Sequence, residues 1–236
     1  MTDQKESPPV QEDGQEKTDP EYGYKWFQER GKERSLYQKI RYGAATRKCE
    51  QQIYKCLHTD MTITMILNAL KSYGCNFKRQ HYACENCTEG QANYDFRSRQ
   101  VVFCQNKVKT KGYCRILAHE LIHAFDDCRA KVDYKNIDHV ACTEIRAANL
   151  TQCDFFHGVM CGVTKDGLDN SQKECVRGHA MYSLMMSRDL SKEKALEAID
   201  RVWDRCYNDL EPIGRRFRKN KIDRTVASED NRKFDM

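Results

Sequence analysis

Between residues 48 and 73, the apolar positions Ile53, Tyr54, Leu57, Ile63, Met65, Ile66, Leu67 and Leu70 recur at steps of three and four, which predicts two helices. Over residues 93–105 the period changes. Tyr94, Phe96, Val101, Val102 and Phe103 alternate weakly, as in a short hairpin or an edge strand. From 113 to 129 the helical period returns, with Ile116, Leu117, Leu121, Ala124 and Phe125 on one broad face. Further helices are predicted over 138–151, 173–187 and 191–207. The last has Ser191 as N-cap and Leu196, Ile199, Val202 and Trp203 turned inward. Helices around one small sheet make a mainly helical α+β chain, without internal repeats.

Residues 1–20 hold Pro8, Pro9 and Pro20, many acids and few apolar side chains, so burial cannot offset the entropy of ordering them; a disordered acidic tail is expected. An N-terminal extension is expected over 21–44, one domain over 45–215 and a charged tail over 216–236. Arg215, Arg216, Arg218, Lys219 and Lys221 form a basic cluster where the last two meet. The 236 residues, 39% of them apolar, suffice for one sizeable domain. Forty basic against 35 acidic residues leave a formal charge of +5, far from that of a dedicated nucleic-acid binder, so no nucleic-acid partner is expected. No apolar run reaches the roughly 18 to 20 residues that span a bilayer. The N-terminus has neither the apolar core of a secretory signal nor the acid-poor, Arg-rich face of a transit peptide, so no cleavable address is expected.

Thirteen cysteines are many for a reducing compartment, and they are scattered rather than clustered in the pairs of a zinc module. Most are expected in disulfides, with Cys128, Cys142, Cys153, Cys175 and Cys206 among them and at least one left over. Cys84 and Cys87 have the spacing of half a zinc knuckle or a redox pair, but the chain has no second such pair.

The chemistry is concentrated in His119-Glu120-Leu121-Ile122-His123. On a helix the two histidines project from one face a turn apart, so one cation can bridge them. Neutral imidazoles suit zinc, which acidifies a bound water towards ~7, and Glu120 stands ready to take its proton. Burying two histidines and a glutamate without a metal would leave polar groups unsatisfied. A catalytic zinc takes three protein ligands. Glu144, 21 residues beyond His123 on the next predicted helix, is the first candidate for the third, and His139 is its rival. Asp126 is a candidate to accept the second N–H of a ligand histidine. Asp126 and Arg129 also occupy the positions where the extended metzincin pattern requires glycine and histidine, which disfavours that subclass. His58, His81, His157 and His179 stand outside any ligand spacing and receive no role.

The run from His119 to Asp126, then Cys128-Arg129, Val132-Asp133, His139 and Ala141 to Leu150, resembles the mitochondrial inner membrane metalloproteases linked to ATP synthase assembly. The resemblance continues through Cys175-Val176-Arg177 and from Cys206 to Arg215, covering about residues 45 to 215. It implies a peripheral protease on the intermembrane-space face of the inner membrane. Its implied clients are membrane-sector subunits of ATP synthase and intermembrane-space proteins. By matched position it makes His119 and His123 zinc ligands and Glu120 catalytic. Ala148 departs from the simplest related pattern, in which an aspartate four residues after the third ligand braces a histidine.

The expected fold is a zincin-like domain with a small sheet beside the motif helix, and the expected activity is zinc-dependent endoproteolysis. Tyr134 and Arg146 are candidates to stabilise the oxyanion. The alternative is a non-proteolytic assembly chaperone for hydrophobic membrane subunits, which would tolerate a closed structural metal site.

Overall fold

Ser35 starts the first helix with a reciprocal cap: its hydroxyl accepts from the Gln38 amide, and the Gln38 side chain accepts from the Ser35 amide at 3.0 Å. The computed structural model describes residues 35–109, 112–153 and 168–216. The tail expected over 1–20 lies outside the described residues, as does all but Arg216 of that expected over 216–236. Helix α1 (Leu36–Thr59) buries Cys49, Ile53 and Cys56 in its second half. It runs unbroken through residue 45, because the cap and a helix-permissive Ala44-Ala45 carry it upstream of its buried positions. Asp60 stops α1 and caps α2 (Met61–Ser72), its carboxylate accepting from the amides of Thr62 and Ile63.

Strands β1 (Tyr82–Glu85), β2 (Ala92–Asp95) and β3 (Gln100–Cys104) form a sheet of order β1-β3-β2, with β1 parallel and β2 antiparallel to β3. The hairpin expected over 93–105 is β2–β3. Strand β1 escaped the pattern because four residues, Tyr-Ala-Cys-Glu, are too few to show a period. One face of the sheet sends Tyr82, Cys84, Tyr94, Val101 and Phe103 into the main core. The other closes over Val102 with Cys87 and Cys104, which are bonded to each other.

Helix α3 (Tyr113–Ala130) lies between two apolar clusters. Its Leu117, Leu121, Ile122 and Phe125 pack with α1, α2 and the sheet. The second cluster joins α4 (Ile137–Ala147), α5 (Leu168–Arg188) and α6 (Lys192–Asn208). The helix expected over 138–151 is α4 followed by a π-helical turn, Ala148–Gln152. Ser191 caps α6 as expected, but the buried line is Ala195, Ala198, Ile199 and Cys206, while Leu196, Val202 and Trp203 are only partly covered. The architecture is thus α+β, mainly helical, with a small three-stranded sheet.

Six disulfides bind these elements: Cys49–Cys84, Cys56–Cys114, Cys75–Cys128, Cys87–Cys104, Cys142–Cys206 and Cys153–Cys175. All five cysteines expected to pair do so. Cys161 lies outside the described residues. Cys84 and Cys87 take different partners, which rules out a zinc knuckle or a redox pair between them.

Candidate metal centre

The motif falls in the middle of α3, where helical spacing stacks His119 and His123 on the side that faces α4, with their Nε2 atoms 3.0 Å apart. Asn136 caps α4 by accepting from the Asp138 amide, and the helix then carries Glu144 to the same point. Its carboxylate oxygens lie 3.5 Å from His119 Nε2 and 3.7 Å from His123 Nε2. Zinc bonds of ~2.0–2.1 Å to two imidazoles and a carboxylate imply ligand–ligand edges of roughly 3.4 Å in a tetrahedron. The three donors, two nitrogens and an oxygen, therefore fit a zinc-sized cation. His139 does not share this point: its Nδ1 accepts from the Asp133 amide at 3.1 Å, in the turn before α4.

Sequence reasoning missed the group that holds His123. The Thr143 hydroxyl, one residue before Glu144, donates to Asp126 Oδ2 at 2.8 Å and lies 2.9 Å from His123 Nδ1. Asp126 thus reaches the histidine through Thr143 and not directly, which corrects the expected contact. Asp126 in turn accepts from Arg146 Nε at 3.0 Å and from Arg129 Nε at 3.2 Å. Arg146, 1% exposed, also donates to the main-chain oxygens of Asp209 and Glu211. It is fully engaged as the buried partner of Asp126, so it is not available to stabilise an oxyanion. The only sequence hint of this network was the acid three residues after His123.

A cavity of about 820 Å³ opens beside the three donors, lined by Tyr94, Glu120, Tyr134, His179, Tyr182 and Ser183 among others. Tyr134 therefore stays within the cavity, stacked on Phe96. His179, given no role from the sequence, reaches the same cavity from α5. Strand β2 borders it, and the Tyr94 backbone hydrogen-bonds the Glu120 carboxyl. Burial raises the pKa of Glu120 and the nearby Glu144 charge adds to the rise, against the pull of both histidines. Burial works the other way on His119, but hydrogen bonding to Glu144 and the charges of Glu120 and Glu144 prevail and raise it. Glu144 is held low, to about 2: burial opposes this, and His123, His119 and Ser183 outweigh it. Cys153, Cys175 and His179 also converge, but both sulfurs are joined in a disulfide.

The profile of the Peptidase M76 family matches residues 47–214. The mitochondrial inner membrane protease ATP23 homolog of Xenopus laevis is 37% identical over 219 residues, 89% of this chain and 92% of the relative. The Homo sapiens homolog is 39% identical over 176 residues, covering 72% and 71% of the two chains. The mitochondrial inner membrane protease ATP23 of Yarrowia lipolytica is 29% identical over 173 residues, covering 72% and 69%. No solved structure matches the chain.

Proposed function

This chain belongs to the peptidase M76 family, and we propose that it is a zinc-dependent endopeptidase in which His119, His123 and Glu144 hold the metal and Glu120 is the general base. The observation that carries the reading is the convergence of two buried histidines and the partly buried Glu144 beside a cavity that also receives Glu120. Bound zinc supplies a Lewis acid for the scissile carbonyl and acidifies a water towards ~7. The chain's own part is proton transfer. Glu120, whose pKa is raised by burial, accepts the water's proton at its carboxylate and returns it to the leaving amine. The edge of β2 turned away from β3 borders the cavity, where an extended client can pair with it as an added strand.

The relatives are named mitochondrial inner membrane proteases, and no described helix is long and apolar enough to cross a membrane. We place the catalytic domain at 45–215, attached peripherally on the intermembrane-space side, an assignment that six disulfides support. Its clients in this reading are membrane-sector subunits of ATP synthase and intermembrane-space proteins.

Glu120→Gln tests the mechanism because it removes the base and spares the three donors. Zinc content should stay at the wild-type level while peptide hydrolysis falls ~10²- to 10⁴-fold. A variant that cleaves near the wild-type rate would overturn the role of Glu120. If assembly of a client persists in this variant, assembly does not require proteolysis.

A further inference from the structure

The first half of α1 stands in solvent on almost every side. Leu36, Tyr37 and Ile40 are 75%, 67% and 64% exposed, and Tyr54 further along is 64% exposed. At about 100° per residue, Leu36, Ile40 and Tyr54 fall on one line, opposite the buried Cys49, Ile53 and Cys56. Arg47 lies on that line, Lys39 and Lys55 flank it, and Lys48 and Arg41 stand further round the helix; all five are exposed. The helix has one acid, Glu50, which pairs with Arg79 at 2.5 Å. Beside Tyr54 lies a groove of about 640 Å³ with Leu57, Leu67 and Phe77 in its floor and Arg47 and Arg79 at its rim. Aliphatic and tyrosine tips interleaved with cations extend from the helix onto the groove.

We propose that this outward face of α1 docks the chain on an anionic phospholipid surface. The proposal rests on the inner-membrane reading above, and it names the surface that makes the contact. No described helix crosses a membrane, so attachment through the described residues has to come from a face. Charge complementarity selects the occupant: five cations and one neutralised acid suit a layer of lipid phosphates and would repel a second copy of the same face. Leu36 and Ile40 can enter the boundary between headgroups and acyl chains, where the amphipathic rings of Tyr37 and Tyr54 also settle. The described end of the C-terminal basic cluster is occupied otherwise: Arg216 lies over the Tyr207 ring and donates to the Tyr207 main-chain oxygen.

The test is flotation of the full chain with vesicles of phosphatidylcholine, either pure or containing about 30% phosphatidylglycerol. The wild type should float with the anionic vesicles at low salt, release as salt rises, and stay in solution with neutral ones. Leu36→Gln with Ile40→Gln, and separately Lys39→Gln with Arg41→Gln, should each weaken anionic binding about 10-fold or more. All four side chains are exposed, so circular dichroism should match the wild type. Equal binding to neutral vesicles, no binding to either kind, or undiminished binding by both variants would overturn the proposal. So would a wild-type dimer in sedimentation that both variants dissolve, since the face would then serve a second copy. Hydrolysis of a soluble peptide, measured on the same samples, keeps the two readings apart. Glu120→Gln should float normally without cleaving, and the α1 variants should cleave normally without floating.

Discussion

The Thr143 hydroxyl has one proton and directs it to Asp126, so towards His123 it acts as the acceptor, 2.9 Å from Nδ1. His123 must then carry its proton on Nδ1, which leaves the Nε2 lone pair facing His119 Nε2 and Glu144. Asp126 can hold Thr143 in this role because Arg146 and Arg129 fix it as an acceptor. An ion-pair network joining α3, α4 and the 209–211 segment thus sets the tautomer of one histidine.

Thr143→Val keeps the shape of the side chain and removes the acceptor. Zinc affinity, measured by competition with a chromophoric chelator, should fall about 10- to 100-fold, and Thr143→Ser should restore it. Unchanged affinity in the valine variant would refute the role given to Thr143.

Glu144 and His139 make a matched pair on the same helix. Glu144→Ala removes one of three converging donors, so zinc affinity should drop by more than about 100-fold, together with hydrolysis. His139→Ala should bind zinc like the wild type and lose only about 1 kcal/mol of stability with the bond from the Asp133 amide. The reverse outcome would exchange their roles.

The Cys142–Cys206 bridge joins α4 to α6 across a sequence separation of 64, directly beside Thr143 and Glu144. By loop-closure entropy such a bridge stabilises by about 4 kcal/mol. The double serine variant should melt about 10 °C lower by calorimetry under non-reducing conditions. A melting temperature within a degree or two of the wild type would show that packing of α4 on α6 suffices without the bridge.

Much of this arrangement is legible in the sequence where one residue type has one dominant reason to be present. His119, Glu120 and His123 announce themselves by spacing, and Glu144 by its distance along the next helix. Val101, Val102 and Phe103 signal a strand, but weak alternation does not tell that it is the central, buried one of the sheet. Partnerships between distant polar groups are a different matter. Arg146 looks like a free cation next to a glutamate, and only the return of residues 209–211 shows that its guanidinium is fully engaged. Thr143 carries no motif at all, since a threonine on a helix is commonplace until an aspartate and a histidine from α3 meet it. The early start of α1 is set by the cap at Ser35 rather than by burial, so the apolar period could not place it.

Asp209 gives the network a pH dependence with a defined sign. Burial opposes ionisation of its carboxyl, but the bond from Arg129 and the charges of Arg146 and Arg129 outweigh it and lower the pKa. A depressed carboxylate contributes stability that is fully present above the unfolded value of about 3.9 and is lost as pH falls through the lower folded value. At pH 7, Asp209→Asn should therefore cost about 2 kcal/mol, because it removes charge-assisted hydrogen bonds to two arginines, one of them buried. Urea unfolding of both proteins at a series of pH values should show the difference constant down to about 5 and narrowing below about 4. A gap that widens on acidification would mean that Asp209 is ordinarily protonated or unpaired, and that Arg146 relies on Asp126 and the main-chain oxygens alone.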